Sequence, residues 1–186
     1  MSEDYQLIRS RRRTLAVTVD EEVTVIVRAP RLCPKWEIDR FVAAHGDWIE
    51  ERRKKRLAQR TAAQAAGVLS EEALAALKNR GKTVFSERTA YFAALLGVDY
   101  GRITVRAQKS RWGSCSREGN LSFNCLLLLA PPEILDSVVV HELCHRKQMN
   151  HSALFYEELY RMMPDYDRRA KWLKEHGGAL QMRLPR

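Results

Sequence analysis

Long apolar runs are missing from this chain of 186 residues. Apolar stretches such as Leu126–Ala130 and Val138–Val140 are far shorter than the roughly 20 residues that a membrane-spanning helix needs, so no membrane partner is expected. The start, Met1-Ser2-Glu3-Asp4-Tyr5, is acidic and carries no apolar segment of the secretory kind, so no signal peptide is expected. Cysteine is sparse as well. Cys33, Cys115, Cys125 and Cys144 are irregularly spaced with no C-x-x-C pair. This argues against a disulfide framework and against a cysteine zinc knuckle, and it fits a reducing cytoplasm. There is no internal repeat and no low-complexity tract. At 45% hydrophobic and 30% charged residues, the composition belongs neither to a disordered nor to a membrane-spanning chain. The length suits one ordinary domain with a small appendage.

Basic residues outnumber acidic ones, for a net charge of +9. Such a balance raises the prospect of an anionic partner, a nucleotide or a nucleic acid. Much of it lies in two local runs, Arg9–Arg13 and Arg52–Arg60; solvated arginine-rich faces are the plainer explanation, and the favoured one for the second run. Charge alone names no substrate.

Periodicity divides the chain into strands, helices, strands and helices. Leu15, Val17 and Val19 alternate with Ala16 and Thr18. Val23, Val25 and Val27 alternate with Thr24 and Ile26 across an Asp20-Glu21-Glu22 turn, which predicts a β-hairpin ended by Ala29-Pro30. Trp36, Ile38, Phe41, Val42, Trp48 and Ile49 recur at helical steps, in one helix continuing through Arg56. Thr61–Gly67 reads as a frayed helix end or a linker. Ser70 caps a short helix to about Asn79, Gly81 interrupts it, and a second stretch runs to a stop at Gly97. Strands follow at Ile103–Ala107 and from Leu121. Pro131-Pro132 opens a helix through His145, and further helices are expected near 153–162 and 166–176. The expected class is α+β, with helices packed on one antiparallel sheet. Residues 1–80 read as an N-terminal β-hairpin and helical segment, and 81–186 as the catalytic core.

The chemistry concentrates in His141-Glu142-Leu143-Cys144-His145. Positions i and i+4 share a helix face, so both imidazoles can reach one ion. Glu142, about 100° around the helix, reaches a water on that ion. A catalytic zinc site uses three protein ligands and keeps the fourth position for water, and Glu142 would take that water's proton. Shuffling this composition would produce H-E-x-x-H in only about 1% of chains. Three of the five histidines, His141, His145 and His151, fall within eleven residues. In an unbroken helix His151 would sit about 240° around from His145 and roughly 9 Å along the axis, out of reach of the same ion. A helix stop near Asn150, which tolerates the left-handed conformation, would bring it back as third ligand. Glu157 and Glu158 are the rival third ligands, and Cys144 at the edge of the face reads as a small core residue. His45 and His176 lie in charged helices and read as solvated.

Arg111-Trp112-Gly113-Ser114-Cys115, Asn124, Val138–His145 and Asn150-His151-Ser152 together closely resemble the YgjP-like metal-dependent hydrolases, relatives of the SprT and WLM zinc metallopeptidases. Val27-Arg28-Ala29-Pro30 and Met163-Pro164-Asp165-Tyr166 match as well, so the likeness spans most of the chain. The resemblance implies a zincin-like fold in which the H-E-x-x-H helix packs on an antiparallel or mixed sheet. It also implies Zn²⁺ held by His141, His145 and His151, with Glu142 as base. It places Arg111–Ser114 on a strand lining the cleft, so Lys109, Arg111, Trp112, Gly113, Ser114 and Asn124 become candidate substrate contacts. An extended peptide could pair with that strand edge. Alternatively, Lys109 and Arg111 could hold phosphate oxygens, or Trp112 and Gly113 could merely pack the sheet on the helix. Three functions follow: a metallopeptidase, a nucleoside triphosphate phosphohydrolase using the same water, and a nucleic-acid-binding module with a structural zinc. The last lacks a fourth ligand unless Cys144 supplies it.

Overall fold

The computed structural model describes residues 5–185, so the acidic start Met1–Asp4 lies outside the described residues. The chain divides into two units, residues 1–65 and 66–186. Residue 80, where the sequence suggests a division, lies inside a helix.

In the first unit, β1 (Tyr5–Ser10), β2 (Ala16–Val19) and β3 (Val25–Pro30) form a sheet in the order β1-β3-β2. β2 and β3 make the expected antiparallel hairpin, with Val17 opposite Val27. Asp20 Oδ1 accepts from the backbone N–H groups of Glu22 and Thr24, both at 2.9 Å. This Asx turn holds Val23 at φ 68°, an unusual conformation for a β-branched residue. β1 pairs parallel to β3 on its other edge, which the alternation pattern alone did not reveal. The expected single helix is two, α1 (Lys35–Ala44) and α2 (Gly46–Ala66). They break at His45, whose backbone leaves helical geometry (φ −111°, ψ 14°) and whose Nδ1 lies 2.7 Å from the Phe41 carbonyl oxygen. Val19, Val25, Val27, Ala29, Ile38, Val42 and Ile49 form this unit's core.

The second unit opens with α3 (Glu71–Leu96). Ser70 Oγ accepts from Ala73 N–H at 3.2 Å to cap it, and Gly97 ends it at φ 65°. Gly81 does not interrupt this helix, contrary to expectation. It is buried, and a Cβ there would lie 2.9 Å from Val105 Cγ1, so the glycine lets a strand approach the helix closely. That strand, β4 (Ile103–Arg106), joins β5 (Gly113–Cys115) and β6 (Leu121–Asn124) in the order β4-β6-β5. β4 runs parallel to β6 and β5 antiparallel. The single antiparallel sheet of the sequence reading is therefore two small mixed sheets. Chain-adjacent strands form the antiparallel hairpins, while β1 and β4 add to the opposite edge in parallel.

After β6 comes a 3₁₀ turn (Cys125–Leu129), then α4 (Pro132–Cys144), α5 (Ala153–Met162) and α6 (Tyr166–Gln181). Pro132 sits in the first turn of α4, where its missing N–H costs nothing. The Val138-Val139-Val140 run has modest helix propensity. α4 forms because nearly all its faces are buried, including Leu135, Val138, Val139, Val140, Leu143 and Cys144. Phe85 of α3 stacks on Phe123 of β6 with ring centroids 4.7 Å apart. Arg88 of α3 grips Asp136 of α4 through two hydrogen bonds of 2.7 and 2.8 Å. The helix that carries His141 and Glu142 is thus wedged between α3 and the sheet. Among the described residues no helix is long and apolar enough to cross a membrane.

Candidate metal centre

α4 carries His141 and Glu142 on its last turn and His145 at its C-cap. The helix ends at Cys144, well before Asn150, and Asn150 does not adopt positive φ. The backbone instead turns over residues 145–147, with Arg146 and Lys147 N–H bonding back to the Leu143 and Cys144 carbonyls. This turn returns His151 to the helix face. His151 Nε2 lies 3.1 Å from His141 Nε2, and the ligand atoms of His141, His145 and His151 all lie within 4.8 Å of one another.

The far nitrogen of each helix histidine is already engaged. His145 Nδ1–H donates to the Gln148 carbonyl oxygen at 3.1 Å, which leaves Nε2 with its lone pair in the neutral ring. His141 Nδ1 lies 2.9 Å from Tyr166 Oη. Burial, together with the neighbouring His145 and His151, lowers the His141 pKa to about 4. Burial likewise lowers that of His145. Neutral imidazoles with converging Nε2 atoms are the donor set a divalent ion takes. Two such nitrogens on one tetrahedral zinc lie about 3.3 Å apart, close to the His141–His151 spacing. The residues fit the metal.

Phe155 of α5 is fully buried and forms the floor of this cluster. Its ring centroid is 5.0 Å from that of His141 and 4.8 Å from those of His145 and His151. No local signal in the sequence marks Phe155, and nothing local ties Tyr166, 25 positions away, to His141. Glu157 is exposed. Glu158 is held by Lys147 at 2.8 Å and Arg161 at 2.9 Å, and neither glutamate joins the histidines. Cys144 is buried outside the cluster, as expected of a core residue.

Glu142 is 6% exposed, and burial raises its pKa to about 7. Gly113 of β5 lies directly against it: a Cβ there would be 2.5 Å from Glu142 Oε1. The glycine lets the strand pass over the carboxylate. Two clefts meet at this point, both bordered by Arg111, Gly113, His141 and Glu142. One, of about 380 Å³, extends towards Trp112, Tyr166 and α6. The other, of about 280 Å³, extends over Ser114, Cys115, His145, Met149 and His151. Lys109 is exposed and borders neither. Asn124 is buried behind the loop before β5. Its Nδ2 donates to the Gln108 and Arg111 carbonyls at 2.7 and 2.9 Å, and its Oδ1 accepts from Leu126 N–H at 3.2 Å.

The family model of the YgjP-like metallopeptidase domain matches residues 13–77 and 67–176. The chain belongs to that family. Membership makes this YgjP-like chain a metal-dependent hydrolase of the metallopeptidase kind. No curated protein matches it. Among solved structures, the metallopeptidase zymogen abylysin of Pyrococcus abyssi is similar at 20% identity and a TM-score of 0.43, over 50% of this chain and 97% of its own. The zymogen of jannalysin from Methanocaldococcus jannaschii is similar at 21% identity and a TM-score of 0.44, over 48% of this chain and 93% of its own.

Proposed function

We propose that this YgjP-like chain is a zinc-dependent peptidase, with His141, His145 and His151 as ligands and Glu142 as general base. One observation carries the reading. Three imidazoles converge beside a buried carboxylate, and among the described residues the cluster has no fourth protein ligand. Such a site keeps a position open for chemistry, whereas a structural zinc site is closed by four protein ligands. A bound zinc ion would supply Lewis acidity, lowering the pKa of water to about 7 and polarising the scissile carbonyl.

The protein's own groups do the rest. Glu142 takes a proton from the attacking water on its carboxylate and delivers it to the leaving amine. Its raised affinity for protons, a consequence of burial, suits a group that must both accept and release one near neutral pH. Tyr166 orients the His141 ring through Nδ1. β5 is an edge strand of its sheet, so Gly113 and Ser114 offer backbone groups to an extended peptide. Asn124 acts through the backbone of Arg111, fixing the loop that leads into β5.

The phosphohydrolase reading needs a basic cradle; Lys109 borders neither cleft, and the basic side chains that do are Arg111 and Lys174. Metal analysis after gentle purification, followed by a screen of zinc-loaded protein against peptides and nucleoside triphosphates, tests the proposal. Peptide cleavage abolished in Glu142→Gln with zinc retained is expected. Phosphate or pyrophosphate release without peptide cleavage would overturn it.

A further inference from the structure

The 380 Å³ cavity beside Glu142 and the cleft over the histidines share Arg111, Gly113, His141 and Glu142 and differ in their remaining walls. Trp112, Val138, Tyr166, Ala170 and Leu173 supply its apolar walls, and the exposed Ser110, Arg111 and Lys174 border it as well. The opposite cleft is lined instead by Ser114, Cys115, Met149 and the histidines. A chain lying across Glu142 therefore meets, on the α6 flank, a recess whose lining is mostly apolar. The volume lies within the range of about 300–1,000 Å³ typical of built ligand pockets. Its walls stand on α4 and α6 and on the residue entering β5, so the recess is set by packed elements rather than by loops alone.

Gly177 is buried inside α6, where a glycine is disfavoured relative to alanine. A Cβ at this position would lie 2.6 Å from Trp112 Cζ2 and 3.2 Å from Cε2. The indole thus rests against a helix surface from which the side chain has been removed. Trp112 also packs against both hydrophobic clusters of its unit, which leaves it little room to swing aside. The missing methyl group of Gly177 holds the indole back against α6 and keeps the recess open.

We propose that this cavity is a specificity pocket that receives a bulky apolar side chain of the substrate next to the scissile bond, with Trp112 as its floor and Gly177 setting its depth. The proposal rests on the peptidase reading and adds the substrate class. Removal of an apolar side chain from water into the recess supplies the selection, and discrimination of about 10–200-fold per methylene-sized change is what such pockets achieve.

Two measurements test it, one independent of catalysis. In the metal-free full chain, the indole N–H resonance of Trp112 is assigned by its disappearance in Trp112→Phe. The protein is then titrated with N-acetylphenylalaninamide and with N-acetylglycinamide. The Trp112 signal should shift with the first probe only, and Ala170→Leu, which fills the recess, should abolish the shift. Equal response to both probes, no response to the aromatic one, or a response that survives Ala170→Leu would overturn the pocket. In the zinc-loaded full chain, cleavage sites in unfolded casein are mapped by mass spectrometry. Wild type should cut beside Leu, Phe, Met or Tyr. Ala170→Leu and Gly177→Ala should each lower the ratio of rates at bulky over small residues by about tenfold or more. Cleavage without side-chain preference would overturn the proposal. Absence of all peptide cleavage with an intact Trp112 response would refute the peptidase reading and leave an apolar binding pocket standing.

Discussion

Glu142 is the group whose role and stability cost can be separated most cleanly. Its side chain is 6% exposed, and burial alone pushes its pKa from 4.5 up to about 7. The sign of the linkage follows. Below pH 4.5 the carboxyl is neutral in both folded and unfolded chains, and burial carries no charge penalty. Between pH 4.5 and 7 the unfolded chain releases the proton while the folded chain retains it, so stability falls as pH rises. Above pH 7 the penalty is complete, and a shift of this size corresponds to about 3 kcal/mol. Glutamine keeps the shape and does not titrate. Metal-free Glu142→Gln should therefore match wild type near pH 4 and gain stability relative to it up to pH 7. Above that the gain should plateau at about 3 kcal/mol, on the order of a 10 °C rise in Tm for a unit of this size. Zinc-loaded Glu142→Gln should lose about 10²–10⁴-fold in kcat. Urea unfolding of chelator-treated protein across pH 4–8, paired with peptide cleavage assays, measures both. A stability difference that does not vary with pH would refute the argument that the carboxylate is buried without compensation. Full activity in the variant would refute its role as base.

Three further outcomes follow from contacts in the second unit. Gly113→Ala should cost at least about tenfold in kcat by driving a Cβ into the Glu142 carboxylate, with zinc still bound by metal analysis. Tyr166→Phe removes the hydroxyl 2.9 Å from His141 Nδ1, and competition with a chromogenic chelator should show zinc affinity about 10–100-fold lower. Phe85→Ala empties a fully buried site stacked on Phe123 and should destabilise the second unit by about 3–5 kcal/mol in denaturant titration.

Much of this protein can be read from the linear chain, because the signals involved are local. The i, i+4 pair of His141 and His145 needs only helical periodicity, and the Ser70 cap, the Gly97 stop and the Pro132 start need only near neighbours. Alternation likewise suffices to find the β2–β3 hairpin. What the pattern could not supply was long-range. Gly81 resembles a helix breaker until Val105 is seen pressed against it. β1 and β4 gain their parallel partners from across the chain, and parallel pairing leaves no turn signature.

The candidate metal site divides along the same line. The sequence by itself determined which residues could hold an ion, since residue type and spacing decide which side chains share a helix face. Tertiary structure decided how the chain turns after Cys144 to return His151, which hydroxyl meets His141, and which ring floors the cluster. It also decided that a glycine strand lies over Glu142. Each of these depends on packing between elements far apart in sequence, and close packing is a property of the folded unit rather than of any local segment.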